Sequence, residues 1–309
     1  INDREWIEPI INAGEIRGSH YNFANLYVWA ETYKYKVAQA DGFLLIKGEI
    51  LDGASYYFFP VGDGDLKAVI TALILEASNN RHGFRLAGLS KENIGTINRL
   101  FPGRFKFKED RDKFDYVYTL DKMINLPGRK LKSKRNHINY FKKNNTWSFE
   151  RICHNNLAAC WDMNISWFKE RGYEKDIQLI NESRASRRCF NYFADLKLEG
   201  GLLRSGGKVV AYTMGNKLNS DTFDIILEKA FCEVRGAYQM ITREFAKFIR
   251  ENHPELVFVN REEDMGSPGL RKAKLSYHPD KMEKKYWGIF ITDSTFAVTN
   301  NQSFLEKQS

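Results

Sequence analysis

Nowhere in the 309 residues is there an apolar run close to the 20 or so positions that cross a bilayer, so no transmembrane segment is expected. The first eleven residues lack the basic start and long apolar stretch of a secretion signal, and the chain is expected to be cytoplasmic. Cysteine is sparse. Cys153, Cys160, Cys189 and Cys232 show no CxxC spacing, which argues against a disulfide framework or a zinc knuckle and leaves buried thiols. Histidine is scattered as well: His137, His154 and His278 fall in separate elements, so neither a metal site nor a His-based triad is expected. With 43% hydrophobic and 14% aromatic residues, the chain has too much core material for a disordered protein.

What the chain does have is positive charge. A net charge of +8 favours a polyanionic partner: nucleic acid, CoA-like phosphates or an acidic lipid surface. Lysine and arginine bind all three largely without specificity, so the sign alone leaves them open. The densest stretch follows Leu126-Pro127-Gly128, where Arg129, Lys130, Lys132, Lys134, Arg135, Lys142 and Lys143 occur with no intervening acid. A helix over 128–143 anchors itself through Ile138 and Phe141 and spreads its cations over the remaining surface. Seven like charges repel unless an anion meets them, which makes Lys130, Lys132, Lys134 and Arg135 candidates for nucleic-acid or donor binding; a merely solvated basic helix is the competing reading.

The length predicts two domains of about 150 residues each. Over 1–125 the patterns predict a helix at 21–35, a hairpin over 42–60 turning at Asp52-Gly53, a helix at 66–77, a strand at 84–87, a helix at 90–100, and strands near 105–107 and 114–120. Over 126–291 they predict, after the basic helix, a strand at 147–152 and helices at 156–171 and 183–198. Strands at 201–204 and 209–218 follow around Gly206-Gly207, then a strand at 222–227, a helix at 238–251, a strand at 256–259, a helix at 270–275 and a last strand near 286–291. A polar tail occupies 292–309. The second half echoes the first. This order resembles that of the N-acetyltransferase-like (GNAT) fold, giving an expected α+β chain of two tandem GNAT-like domains with mixed central sheets flanked by helices. In that fold a cofactor pyrophosphate rests on amides where a strand enters a helix. Arg235-Gly236-Ala237 offers such a turn, with a cation and small residues, whereas Val61-Gly62-Asp63-Gly64-Asp65 in the first half carries two repelling aspartates.

The stretch over 256–279 changes character abruptly. An apolar strand ends in Asn260-Arg261-Glu262-Glu263-Asp264, and Gly266, Pro268 and Gly269 lead into the basic helix Leu270-Arg271-Lys272-Ala273-Lys274-Leu275. Carboxylates at the carboxyl end of a buried strand are costly unless paired or used in a cleft; a solvated loop held by Arg261 salt bridges is the alternative.

Together the basic run at 130–137 and the segment over 260–279 resemble a bacterial family allied to the soluble C-terminal domain of phosphatidylglycerol lysyltransferases, and more distantly to Fem-type peptidoglycan aminoacyltransferases. The likeness to the lysyltransferase domain rests on Gly-Leu-Arg-x-x-Lys over 269–274, then Pro279 and Tyr286-Trp287. It implies two acetyltransferase-like halves with a cleft between them, in which an acyl or aminoacyl group passes from a donor to an acceptor. Arg271 and Lys274 match the family's active-site basic pair. The implied donor is a co-substrate, aminoacyl-tRNA or acyl-CoA, with no tightly bound cofactor and no metal. The acceptor is an amine or hydroxyl on a small molecule, peptide or lipid. Such chemistry needs a base, an oxyanion contact and an acid. Glu228, with Glu262 or Asp264, is the expected acceptor-binding or basic group, Arg271 and Lys274 the donor contact, amides near Leu227 the oxyanion contact, and Tyr277 a candidate acid. A non-catalytic basic module that binds RNA or an anionic membrane remains the alternative.

Overall fold

The computed structural model describes residues 1–50, 53–80 and 82–291. The expected turn at Asp52 and the tail over 292–309 therefore lie outside the described residues. In chain order, helices α1 (Arg4–Ala13) and α2 (Phe23–Tyr33) precede strands β1 (Lys36–Ala40), β2 (Phe43–Glu49), β3 (Ser55–Phe58) and β4 (Val61–Gly62). Helix α3 (Leu66–Asn79), β5 (Arg85–Leu89), α4 (Lys91–Leu100), β6 (Phe105–Glu109), β7 (Asp115–Thr119) and α5 (Leu120–Asn125) follow. The basic helix α6 (Lys132–Asn144) leads to β8 (Trp147–Arg151), α7 (His154–Glu170), α8 (Ile177–Asn191), β9 (Glu199–Ser205), β10 (Lys208–Lys217) and β11 (Thr222–Ala230). The last elements are α9 (Ala237–Asn252), β12 (Phe258–Asn260), α10 (Pro268–Leu275), β13 (Lys281–Glu283) and β14 (Tyr286–Phe290). No helix among the described residues is long and apolar enough to cross a membrane.

The result is the expected α+β class, with two seven-stranded mixed sheets and flanking helices. One sheet runs β1-β2-β3-β5-β14-β6 with β4 on β2; the other runs β13-β7-β12-β11-β10-β9-β8. The chain divides into a unit of Glu5–Gly14, Trp29–Phe114 and the residues from Glu283 on, and a unit of Ile1–Arg4, Glu15–Val28 and Asp115–Met282. The expected division at 125/126 does not coincide with these units, one of which runs through it from Asp115 to Met282. Strand β7, expected to end the first half, pairs antiparallel with β12, and β14, expected to end the second, pairs with β5 and β6. The reason lies in their polar groups. Asp115 is fully buried and accepts from the Ser19 amide at 2.9 Å and its hydroxyl at 3.0 Å, while the Tyr118 hydroxyl donates to the Lys274 carbonyl at 2.7 Å. Those partners lie in the second unit, and without them the buried groups of β7 would be left unsatisfied. Trp287 of β14 likewise donates its indole N–H to Asp110 at 2.7 Å and packs edge-on against Tyr56.

The core of the second unit forms where α9 lays Met240, Ile241, Phe245, Ala246 and Ile249 on the sheet against Phe223, Ile225 and Val259. Ile138 and Phe141 of α6 join the same core, the anchoring expected from the sequence. Helix α6 crosses the start of α9 at close range. Gly236, with φ +92°, caps α9, and a Cβ there would lie 2.3 Å from the His137 carbonyl oxygen and 3.0 Å from Phe141 Cβ. Glycine thus serves both the left-handed backbone and the helix contact. Gly236→Ala is expected to destabilise the protein by about 1–3 kcal/mol in urea denaturation, through overpacking and backbone strain; an unchanged midpoint would contradict this packing role.

Candidate active site

In the second unit, β11 and β12 part company. Their parallel pairing covers Thr222, Phe223 and Asp224 against Phe258, Val259 and Asn260, after which β12 ends and β11 runs on to Ala230. Against β10 the register of β11 shifts: Gly215 faces Ile225 and Met214 faces Leu227, so Ile226 is the extra residue of a bulge. A bulge reverses the alternation of faces, and this one brings Glu228 to the face covered by α9. There the Thr242 hydroxyl of α9 lies 3.1 and 3.2 Å from the two carboxylate oxygens of Glu228.

The residue after β12 fills the gap. Arg261 Nη2 donates to Glu228 Oε1 at 2.6 Å, and the two side chains are 14% and 10% exposed. Burial works against the guanidinium's charge, but Glu228 outweighs it and holds the Arg261 pKa above the ordinary value. The other terminal nitrogen, Nη1, is buried and has no hydrogen-bond acceptor among the described residues. Arg261, Glu228 and Thr242 help to line a cavity of about 10 Å³ beside Met123, Phe245 and Ile249.

Tyr277, just after α10, sits at the same place with 5% exposure. It has two cations over its ring: Arg261 Cζ at 5.2 Å from the centroid and Lys134 Nζ, from α6, at 4.3 Å. Burial pushes the Tyr277 pKa up to about 12, so the phenol keeps its proton at neutral pH.

Other expected site residues hold different positions. Asp264 is fully buried and takes a two-pronged contact from Arg271, Nε at 2.9 Å and Nη2 at 2.7 Å, with further bonds from the Tyr116 hydroxyl and the Gly266 amide. Burial would raise its pKa, but the bonds from Arg271, Tyr116 and Gly266 hold it below the ordinary carboxylate value. Asp264 is therefore a buried anchor for Arg271 and a poor base. Lys274 turns its ammonium onto the main-chain carbonyls of Arg261, Glu262 and Glu263, while burial and nearby Arg261 push its pKa down to about 8. It braces the loop that carries Arg261. Glu262, in a left-handed backbone conformation at φ +53°, accepts from Asn25 Nδ2. Burial, with Asp224 nearby, pushes its carboxyl well above the ordinary range.

The expected donor contacts separate as well. Lys130 and Lys132 are exposed, but Arg135 is tied to the carbonyls of Leu126 and Gly128. The Arg235-Gly236-Ala237 turn lies at the start of α9, against α6. Gly236 and Ala237 are buried, the Ala237 amide donates to the Val234 carbonyl at 3.0 Å, and Arg235 stacks on Tyr140 of α6 at 4.3 Å. Helix α6 covers the turn. Two members of the cluster, Arg261 as a donor and Thr242, are not among the residues expected from the sequence, and Lys134 faces inward where an outward, phosphate-binding position is expected.

Residues 12–288 match the family model described as "Phosphatidylglycerol lysyltransferase, C-terminal". The crystal structure of a conserved protein of unknown function from Bacteroides thetaiotaomicron VPI-5482 is 36% identical, with a TM-score of 0.88 over 94% of this chain and 97% of that one. The C-terminal domain of a putative lysylphosphatidylglycerol synthetase from Agrobacterium fabrum shares the fold at 14% identity, with a TM-score of 0.66 over 93% of this chain and 91% of that one. An uncharacterised protein of Mycoplasmoides gallisepticum is 24% identical over 182 residues, 56% of this chain and 54% of that protein. The chain thus matches about half the length of that curated relative.

The raised Glu262 pKa gives a signed prediction. A carboxyl that holds its proton more tightly when folded loses stabilisation as pH rises from its unfolded value, about 4.3, towards its folded pKa. Glu262→Gln, which keeps an oxygen to accept from Asn25, is expected to flatten the fall of thermal stability over that window and to be relatively more stable at alkaline pH. Parallel stability curves for the two proteins would contradict it.

Proposed function

The chain belongs to the phosphatidylglycerol lysyltransferase C-terminal family, and on that premise we propose that it moves an aminoacyl group from aminoacyl-tRNA to an amine or hydroxyl acceptor. The observation that carries this reading is Arg261. Its Nη2 is fixed by Glu228, its Nη1 is buried with no acceptor among the described residues, and leaving such a donor unsatisfied costs about 1–3 kcal/mol. A held N–H donor in a water-poor setting suits the oxygen that gains charge when an ester carbonyl is attacked. In that step the acceptor's nitrogen or oxygen adds to the carbonyl carbon, Arg261 Nη1 donates to the developing oxyanion, and the ribose oxygen departs as the carbonyl re-forms. Glu228 and Thr242 keep the guanidinium oriented, and protonated Tyr277 packs against it. Lys274 and the Asp264–Arg271 pair hold the loop in place.

Two features favour tRNA over acyl-CoA as donor. Lys130, just before helix α6, and Lys132, Lys142 and Lys143 on it are exposed cations fit for phosphates. The turn that would take a CoA pyrophosphate lies beneath the same helix.

The test is transfer of a labelled amino acid from charged tRNA to small-molecule, peptide and lipid fractions, followed by mass spectrometry. A labelled product is expected, and Arg261→Lys should lower kcat about 10²–10³-fold while donor affinity changes little. Product from acyl-CoA alone, or a wild-type rate from Arg261→Lys, would contradict the reading. Neutralising Lys130 and Lys132 together should make tRNA binding less salt-dependent, the log–log slope falling by about 0.7–0.9 for each phosphate that the helix ceases to neutralise; an unchanged slope would remove α6 from the donor site.

A further inference from the structure

The transfer reaction needs a proton carrier, and the carboxylates expected to serve as its base are already engaged. Glu228 is held by Arg261 and Thr242, Asp264 by Arg271, Tyr116 and the Gly266 amide, and Glu262 by Asn25. We propose that Lys134 carries the proton: its ε-amine receives the proton of the attacking acceptor and returns it to the departing ribose oxygen. This proposal rests on the aminoacyl-transfer reading above.

Lys134 differs from its neighbours in the basic run. Lys130 and Lys132 are exposed and Arg135 caps carbonyls, but Lys134 is half-buried and places Nζ 4.3 Å over the ring of Tyr277, where Arg261 also packs. It lies on the buried stripe of α6, four residues before Ile138 and seven before Phe141. No carboxylate pairs with it among the described residues. The titratable or charged groups that face it are Arg261 from the β12 loop, Tyr277 after α10, and His137 on its own helix. None of them supplies negative charge at neutral pH. Burial and Arg261 both lower the Lys134 pKa, which increases the share of neutral amine able to accept a proton.

The step balances. The acceptor atom bonds to the ester carbonyl carbon and its proton passes to Lys134 Nζ. The bond from that carbon to the ribose oxygen then breaks, and the ammonium returns the proton to that oxygen. Ester and amine become amide and alcohol with no further reactant.

Two measurements on the full chain test this. Competitive acetylation with acetic anhydride across about pH 6 to 10, read by peptide mass spectrometry, should show Lys134 labelling at lower pH than Lys130, whose environment is open solvent. Kinetics of Lys134→Arg and Lys134→Met should show kcat reduced about 10²–10⁴-fold with tRNA affinity nearly unchanged for the arginine variant. The arginine variant should also lose the amine's limb of the pH–rate profile. Partial rescue of Lys134→Met by small alkylamines is the further expected result. Titration of Lys134 in step with Lys130 overturns the proposal, as does a Lys134→Arg enzyme with wild-type kcat and pH profile. A loss confined to tRNA affinity overturns it too, since that marks a phosphate contact. If the wild-type protein transfers nothing from charged tRNA, the parent reading fails and takes this one with it; a Lys134 failure alone leaves wild-type transfer intact.

Discussion

The buried pair between Glu228 and Arg261 is the interaction on which the surrounding structure depends. Taking two ions out of water costs several kcal/mol for each, and the mutual attraction offsets this only when geometry and further hydrogen bonds are good. The neighbouring features all serve that geometry. The bulge at Ile226 aims Glu228 towards α9, Thr242 meets its oxygens, and the rings of Tyr118 and Tyr277 lie near the guanidinium. Lys274 gathers the carbonyls of 261–263, fixing the backbone from which Arg261 projects. Because one guanidinium nitrogen has no acceptor among the described residues, the pair holds Arg261 without using up its donors.

This constraint also gives the early strand β7 a part in the site. Tyr116 reaches Asp264, and Tyr118 bonds the Lys274 carbonyl, so two hydroxyls from β7 secure the loop that follows β12. A carboxylate–guanidinium pair between Asp264 and Arg271 closes the other side of that loop. Loop residues at a functional site are often positioned by rigid elements in this manner. Within the Gly-Leu-Arg-x-x-Lys segment, Arg271 bonds Asp264 and Lys274 bonds the loop carbonyls of Arg261, Glu262 and Glu263.

Much of this architecture is legible in the sequence, for identifiable reasons. The strand ending near Val259, the charged turn and the short basic helix are evident because apolar periodicity stops sharply there. Helix α9 is evident from its apolar stripe. Sheet membership is not legible: β7 and β14 have ordinary strand patterns, and nothing local tells a strand which sheet supplies its neighbours. The roles within the charged turn are also hidden. Glu262, Asp264 and Arg261 are equivalent as a string of charges, and only the three-dimensional partners separate an anchor from a donor. For Lys134 a signal does exist. Leu131, Lys134, Ile138 and Phe141 recur at helical spacing along one face, and a lysine on that stripe is turned inward. The Gly236 turn misleads because a small-residue helix start fits an anion and a close helix crossing equally well; the carbonyl of His137 decides for the latter.

The most direct measurement is a structure of the protein with a non-hydrolysable aminoacyl-tRNA 3′ end, such as an amide-linked aminoacyl-adenosine. The aminoacyl carbonyl oxygen is expected within hydrogen-bond distance, about 3 Å, of Arg261 Nη1, with the Glu228 contact to Nη2 retained. An analogue bound elsewhere, or bound with its carbonyl turned away from Arg261, would contradict it.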